Sequence, residues 1–262
     1  MSADGVSYIF VNDVRLKCAA TKLSDVGKPY IRRLLDGRGL IVWWDCTWLF
    51  PKEDEWPGSH QDTVQGCSSK PGKIKSDFGI HGLWPNYVDG TYPTYCDSEN
   101  PFNPTSISDI EKKLQKNWPV LDCPNNDGLK FWGHEWDKHG TCSESILDQE
   151  EYFEKALKLK KKIKLLHILH KEGIKPDGGF YSSYQIMKAI EDEIEVTPFI
   201  ICNDDASGNS QLSKVYVCVD KFAKKFIKCP VLPKGSCSSS KIYFPRFGHI
   251  DTVETGDDAP DV

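Results

Sequence analysis

The chain has no long apolar run, no N-glycosylation sequon, no internal repeat and no paired C-x-x-C motifs. Each absence removes a class of protein. A transmembrane helix needs about 20 apolar residues, and the best run, 40–50, is short and broken by Asp45, so no membrane span or membrane partner is expected. Residues 1–30 carry Asp4, Asp13, Arg15, Lys17 and Asp25 where a secretory signal would need a continuous apolar core. Asn103 is followed by Pro104, which spoils the Asn-x-Thr triplet. The formal net charge of -5 argues against electrostatic capture of nucleic acid by the whole surface, while leaving room for a local positive pocket.

Cysteine is abundant: ten residues scattered irregularly favour disulfides over zinc sites, and with them an oxidising compartment. With 39% hydrophobic and 27% charged residues, the 262-residue chain can bury one sizeable core or two small ones. The sequence divides into an irregular leader (1–47), a central domain (48–247) and an acidic tail (248–262) that reads as disordered. Inside the domain, 56–76 has a loop composition. DFGIHGLWPNY (77–87) reads as a buried strand ending at a turn, with Gly79 and Gly82 leaving space for a ligand beside His81. Start and stop signals predict a helix over 101–118 with a Ser108–Glu111 capping box, one long amphipathic helix over 150–171 whose lysines form a solvated face, and a helix over 181–195. Short β-rich segments at 197–202, 214–220, 226–229 and 242–244 complete an α+β reading: helices packed on an antiparallel sheet.

Phe131-Trp-Gly-His-Glu-Trp-Asp-Lys-His-Gly-Thr-Cys142 concentrates titratable groups. At about 100° per helical residue, His134, Glu135, Lys138 and His139 fall within roughly 140° of one another, with Trp136 and Asp137 opposite. His134-Glu135 resembles the start of a zinc-binding H-E-x-x-H helix, but that site needs histidines at i and i+4, and here they stand at i and i+5, so no metal is expected. Two imidazoles with Lys and Glu suit metal-free phosphoryl transfer. One imidazole takes a hydroxyl proton, another protonates the departing oxygen, and cations hold the phosphate. RNA supplies its own 2′-hydroxyl nucleophile, and Trp84, Tyr87, Phe131 and Trp132 are candidate stacking surfaces for its bases.

FGIHGLWPNY (78–87) and FWGHEWDKHGTC (131–142) closely resemble the two active-site segments of the ribonuclease T2 family, in its plant S-like branch. The resemblance covers about 56–247. It implies a disulfide-stapled T2-like fold acting on single-stranded RNA with low base specificity, without cofactor, as a monomer with no obligate protein partner, secreted or vacuolar. It assigns His139 as general base, His81 as general acid, His134 to phosphate, and Glu135 and Lys138 to the transition state. Trp84, Asn86 and Tyr87 would form one base site and Phe131 would line the other. The implied disulfides are Cys96–Cys142, Cys202–Cys237, Cys218–Cys229 and Cys67–Cys123. Departures cluster near the N-terminus. LFPKEDEWPG has Glu55 where members have Gln before Trp-Pro-Gly, Gln61 stands where many have Cys, and Cys18 and Cys46 lack family partners. Pro51 disfavours a central strand, and an added carboxylate near a phosphate pocket should weaken binding. A catalytically weak relative kept for storage, binding or defence is therefore the alternative.

Overall fold

Val215, Val217 and Val219 alternate in a segment whose intervening Tyr216 and Cys218 are also buried, the pattern of a strand covered on both faces. In the computed structural model, which describes residues 48–63, 75–121, 128–232, 237 and 239–247, this segment is the middle of the sheet. The expectations for the leader, the tail, Cys18, Cys46 and the Cys67–Cys123 pair lie outside the described residues.

The chain runs through β1 (Trp48–Glu55), α1 (Pro57–Gln61), β2 (Gly79–Leu83), β3 (Asn86–Tyr87), a 3-10 turn (Pro104–Ile107), α2 (Glu111–Asn117) and α3 (Leu129–Lys138). It continues through a second 3-10 turn (Gly140–Ser143), α4 (Gln149–Lys162), α5 (Leu165–Lys171), β4 (Gly179–Ser182), α6 (Ser183–Ile194), β5 (Phe199–Asp204), β6 (Ser210–Asp220), β7 (Phe226–Ile227) and β8 (Lys241–Phe244). The sheet order is β2-β1-β6-β8-β4, with β3 on β1 and both β5 and β7 on β6. Pairing is antiparallel except for a parallel bridge between β6 and β8 at Gln211 and Tyr243. Helices cover the sheet through two apolar clusters. One joins Trp118, Trp132, Trp136, Tyr152 and Phe153 to Ile80 and Leu83 of β2. The other joins α5 and α6 to Val215, Val217 and Phe244. No helix among the described residues is long and apolar enough to cross a membrane.

The expectation that Pro51 disfavours a central strand is corrected: residues 48–55 form β1, paired on both edges. Pro51 is tolerated there for a geometric reason. Its carbonyl accepts from Trp84 N (2.9 Å), so its missing N–H faces the gap where β2 has ended and β3 has not begun. The helix predicted over 101–118 is instead a 3-10 turn capped by Asn103 Oδ1, which accepts from Thr105 N, followed by α2; the Ser108–Glu111 capping box does not form. The box is at Asp148 and Glu151, where Glu151 N donates to Asp148 Oδ1 (2.8 Å). The long helix expected over 150–171 breaks at Ile163, in extended conformation. The break falls where the chain passes from one core to the other: Leu157 and Leu159 pack in the first cluster, Ile163 and Leu165 in the second. Residues 57–61, read as loop, form α1 with Pro at its first turn, and 179–182, partly read as helix, pair with β8.

Candidate active site

His81 owes its direction to a β-bulge. In the β1–β2 register Glu53 opposes Gly82 and Asp54 opposes Ile80, so His81 is the extra residue, and the local kink turns its ring out of the core. Trp118 Nε1 donates to its carbonyl (3.0 Å), fixing the backbone. The space at the flanking glycines is not ligand space. A Cβ at Gly82 would stand 2.4 Å from the Trp84 indole and one at Gly79 2.9 Å from Pro119, so both glycines are filled by the protein itself.

The Trp84 indole, seated against Gly82, contacts two imidazoles. Its centroid is 5.7 Å from His81, nearly perpendicular, and 5.1 Å from His139 at 30°. Its Nε1 donates to Glu135 Oε2 (2.9 Å). Phe131 also lies beside His81, 6.5 Å between centroids. α3 presents the other groups as the helical spacing predicted. Trp136 is fully buried, Glu135 and His139 are nearly so, and His134 is exposed; the helix stops at Lys138, with His139 as its C-cap. The C-terminal end of α3 is tied down by Cys96–Cys142, by Tyr95 N donating to Lys138 O (2.9 Å), and by Cys96 N donating to Thr141 Oγ1 (3.2 Å). Cys202–Cys237 and Cys218–Cys229 also form.

The electrostatics drive the two imidazoles apart. Burial, followed by the charges of Lys138, His134 and His81, pushes His139 down to about 3, so its ring is unprotonated near neutrality; its Nδ1 is buried without a partner, leaving Nε2 for a ligand. Burial also opposes the charged form of His81, but the Glu55 hydrogen bond and charge outweigh it, and His81 titrates above the ordinary imidazole value. Glu135 is raised to about 7, chiefly by burial, against the Trp84 hydrogen bond and the His81 and Lys138 charges.

Lys214 escapes the sequence reading, and Glu55, expected there to weaken phosphate binding, is instead bonded to His81. Glu55 closes β1 with Oε2 2.9 Å from His81 Nδ1 and Oε1 3.2 Å from His60 Nδ1. Lys214 of β6 places Nζ 3.1 Å from His81 Nε2 and 3.4 Å from Glu53 Oε2. No local pattern announces Lys214; its signal is strand pairing, since it sits opposite Glu55 in the β1–β6 register. Asn86 and Tyr87 do not join the cluster at the backbone. They pair with Leu49 and Trp48, about 15 Å along β1 from His81 at roughly 3.3 Å per residue. Among the described residues no group of three or more His, Cys, Asp and Glu could hold a metal ion.

Comparison with known proteins identifies the family. Residues 49–229 match the model of the Ribonuclease T2 family, so the match reaches back into β1. The chain is 53% identical to Ribonuclease 1 of Arabidopsis thaliana over 74% of this chain and 84% of that one. It is 52% identical to Extracellular ribonuclease LE of Solanum lycopersicum over the same shares of the two chains. Its structure is similar to RNase NT in complex with 5'-AMP, with a TM-score of 0.73, 45% identity, and coverage of 78% of this chain and 100% of that one. Fold and sequence agree, and the chain belongs to the ribonuclease T2 family.

Proposed function

We propose that this protein is an endoribonuclease that cleaves single-stranded RNA by acid–base transphosphorylation, with no metal taking part. The carrying observation is the pair of imidazoles that both contact Trp84 and have opposite protonation preferences. His139 Nε2 takes the proton from the 2′-hydroxyl. The 2′-oxygen attacks phosphorus, the P–O5′ bond breaks, and His81 Nε2–H protonates the departing 5′-oxygen. A 2′,3′-cyclic phosphate results. Water, activated with the roles of acid and base reversed, then opens it to a 3′-phosphate. Lys138, His134 and Lys214 supply positive charge around the phosphorane, and Glu135, poised near 7, stabilises its equatorial oxygens by hydrogen bonding. Trp84 and Phe131 offer stacking faces to the flanking bases, and Asn86 and Tyr87 a more distant base subsite.

The disulfides support an oxidising compartment, extracellular or vacuolar. The protein works as a monomer. A storage or binding role makes no use of oppositely poised imidazoles, and nothing in the site favours it.

Cleavage of a single-stranded RNA dinucleotide to a cyclic phosphate is expected to survive EDTA, and the all-2′-deoxy strand is expected to resist. Cleavage of the deoxy strand at a comparable rate would refute the mechanism. The kcat/KM profile should be bell-shaped, its acid limb below the ordinary imidazole value of 6.5 and its basic limb above it, because the base is pushed down and the acid up.

A further inference from the structure

Glu55 stands where the family resemblance leads one to expect an amide, and its surroundings give the carboxylate a task. It is 8% exposed, at the end of a strand whose side chains alternate. Lys52 and Asp54 turn to one face, while Glu53 and Glu55 turn to the other, toward Lys214 and His81. Each carboxylate oxygen of Glu55 meets a histidine Nδ1: Oε1 meets His60 on α1, and Oε2 meets His81 on β2. The anchor is therefore clamped from two elements. It addresses His81 on the ring nitrogen opposite the one that faces Lys214.

We propose that Glu55 is a positioning residue for the general acid: it accepts the Nδ1–H of His81, fixes the ring and tautomer that aim Nε2 at the leaving oxygen, and holds the imidazolium in place until Nε2 has delivered its proton. The inference rests on the acid role given to His81. Glu55 stays ionised throughout; the proton leaves from Nε2, and the Nδ1–H···Oε2 bond is kept as the ring becomes neutral. Lys214 works in the opposite sense. Its ammonium, 3.1 Å from Nε2, disfavours a second positive charge on the ring, and an incoming phosphate oxygen that displaces this contact meets both donors. The charges bearing on His81 are Glu53 and Glu55 from β1, Lys214 from β6, and Glu135 and His139 from the end of α3, with uncharged Trp84 and Phe131 at its faces.

Glu55→Gln keeps one oxygen able to accept from the His81 Nδ1–H, presents its amide nitrogen to His60, and removes the charge. An opposite charge at this range shifts a pKa by about 1 to 3 units. His81 is raised in the folded protein, so the protonated acid is retained below its folded pKa and lost as pH rises through it. The variant should therefore lose activity from the alkaline side. For a dinucleotide, the basic limb of kcat/KM is expected to move down by about one pH unit, giving roughly tenfold lower activity on that limb and less than twofold change on the plateau. Lys214→Met should move the same limb up. A nucleoside 3′-(4-nitrophenyl phosphate), whose leaving group departs without a proton, should be cleaved by Glu55→Gln at nearly the wild-type rate, which separates lost acid catalysis from lost folding. An unmoved basic limb in Glu55→Gln, or equal losses on both substrates, overturns the proposal. If His81→Ala cleaves the dinucleotide as fast as wild type, the acid assignment itself fails.

Discussion

His139→Ala is expected to lower kcat for dinucleotide cleavage by about 10²- to 10⁴-fold, the range general-base catalysis supplies, with little loss of stability. The two halves of that result have separate physical origins. Catalysis depends on an imidazole that is neutral at the working pH, and burial together with three neighbouring cationic groups makes His139 the ring best kept so. Stability does not depend on it in the same way. His139 is 7% exposed, its Nδ1 is buried with no partner, and its substitution removes an unsatisfied polar atom along with its apolar contacts with Trp84. The penalty for the small void and the relief of the orphaned nitrogen act in opposite directions. Steady-state kinetics and a urea titration on the same preparation check both halves. A loss below tenfold removes His139 as the base, and collapse of stability with activity would make its role structural. His81→Ala should lose activity over a similar range. The double variant should lose far less than the product of the two losses, because base and acid act in one proton-transfer sequence.

The sequence and the structure agree most closely where chemistry is local in the chain. FWGHEWDKHGTC states its own geometry: helical spacing puts Trp136 in the core and Glu135 and His139 at the site, and a wrong period would have scattered them. The Cys96–Cys142 pair, implied by the family resemblance, fastens the end of that helix. Legibility fails where a residue's environment is made by distant strands. Pro51 disfavours a central strand at this point of the chain, yet β6 and β2 enclose KEDE at 52–55 on both edges, and a carboxylate expected to weaken phosphate binding is instead bonded to His81. Lys214 offers no motif, and Lys160, read as part of a solvated face, is buried with its Nζ 3.9 Å from Asp77. These are consequences of contacts between distant segments, 26 residues apart for Glu55 and His81 and 133 for Lys214 and His81, which no window of local pattern contains.

The same enclosed strand supplies the largest expected effect on stability. Lys52 is fully buried and Asp54 is 2% exposed, and the two form an ion pair inside the sheet's helix-facing layer. Asp54→Ala leaves the Lys52 ammonium without its counter-ion and with Lys160 among its neighbours, so a loss of about 3–5 kcal/mol in unfolding free energy is expected. The charged pair is a poor stabiliser for the same reason that breaking it is costly: both groups have given up water. Replacing both partners by apolar residues of similar length, Lys52→Met with Asp54→Leu, should therefore be neutral or stabilising by about 1–4 kcal/mol. The sign of the pH dependence follows from burial, which pulls Lys52 below its ordinary value of 10.5. In Asp54→Ala the folded chain sheds that proton before the unfolded chain does. The unfolded state then binds more protons, and stability rises with pH from the depressed folded pKa up to 10.5. Urea titrations at pH 6 and about pH 9.5 should thus show the single variant recovering part of its deficit at the higher pH, while the double variant shows no such recovery. A single variant within about 1 kcal/mol of wild type at pH 6 would mean that Lys52 finds water or another anion, and that the strand is less enclosed than its packing indicates.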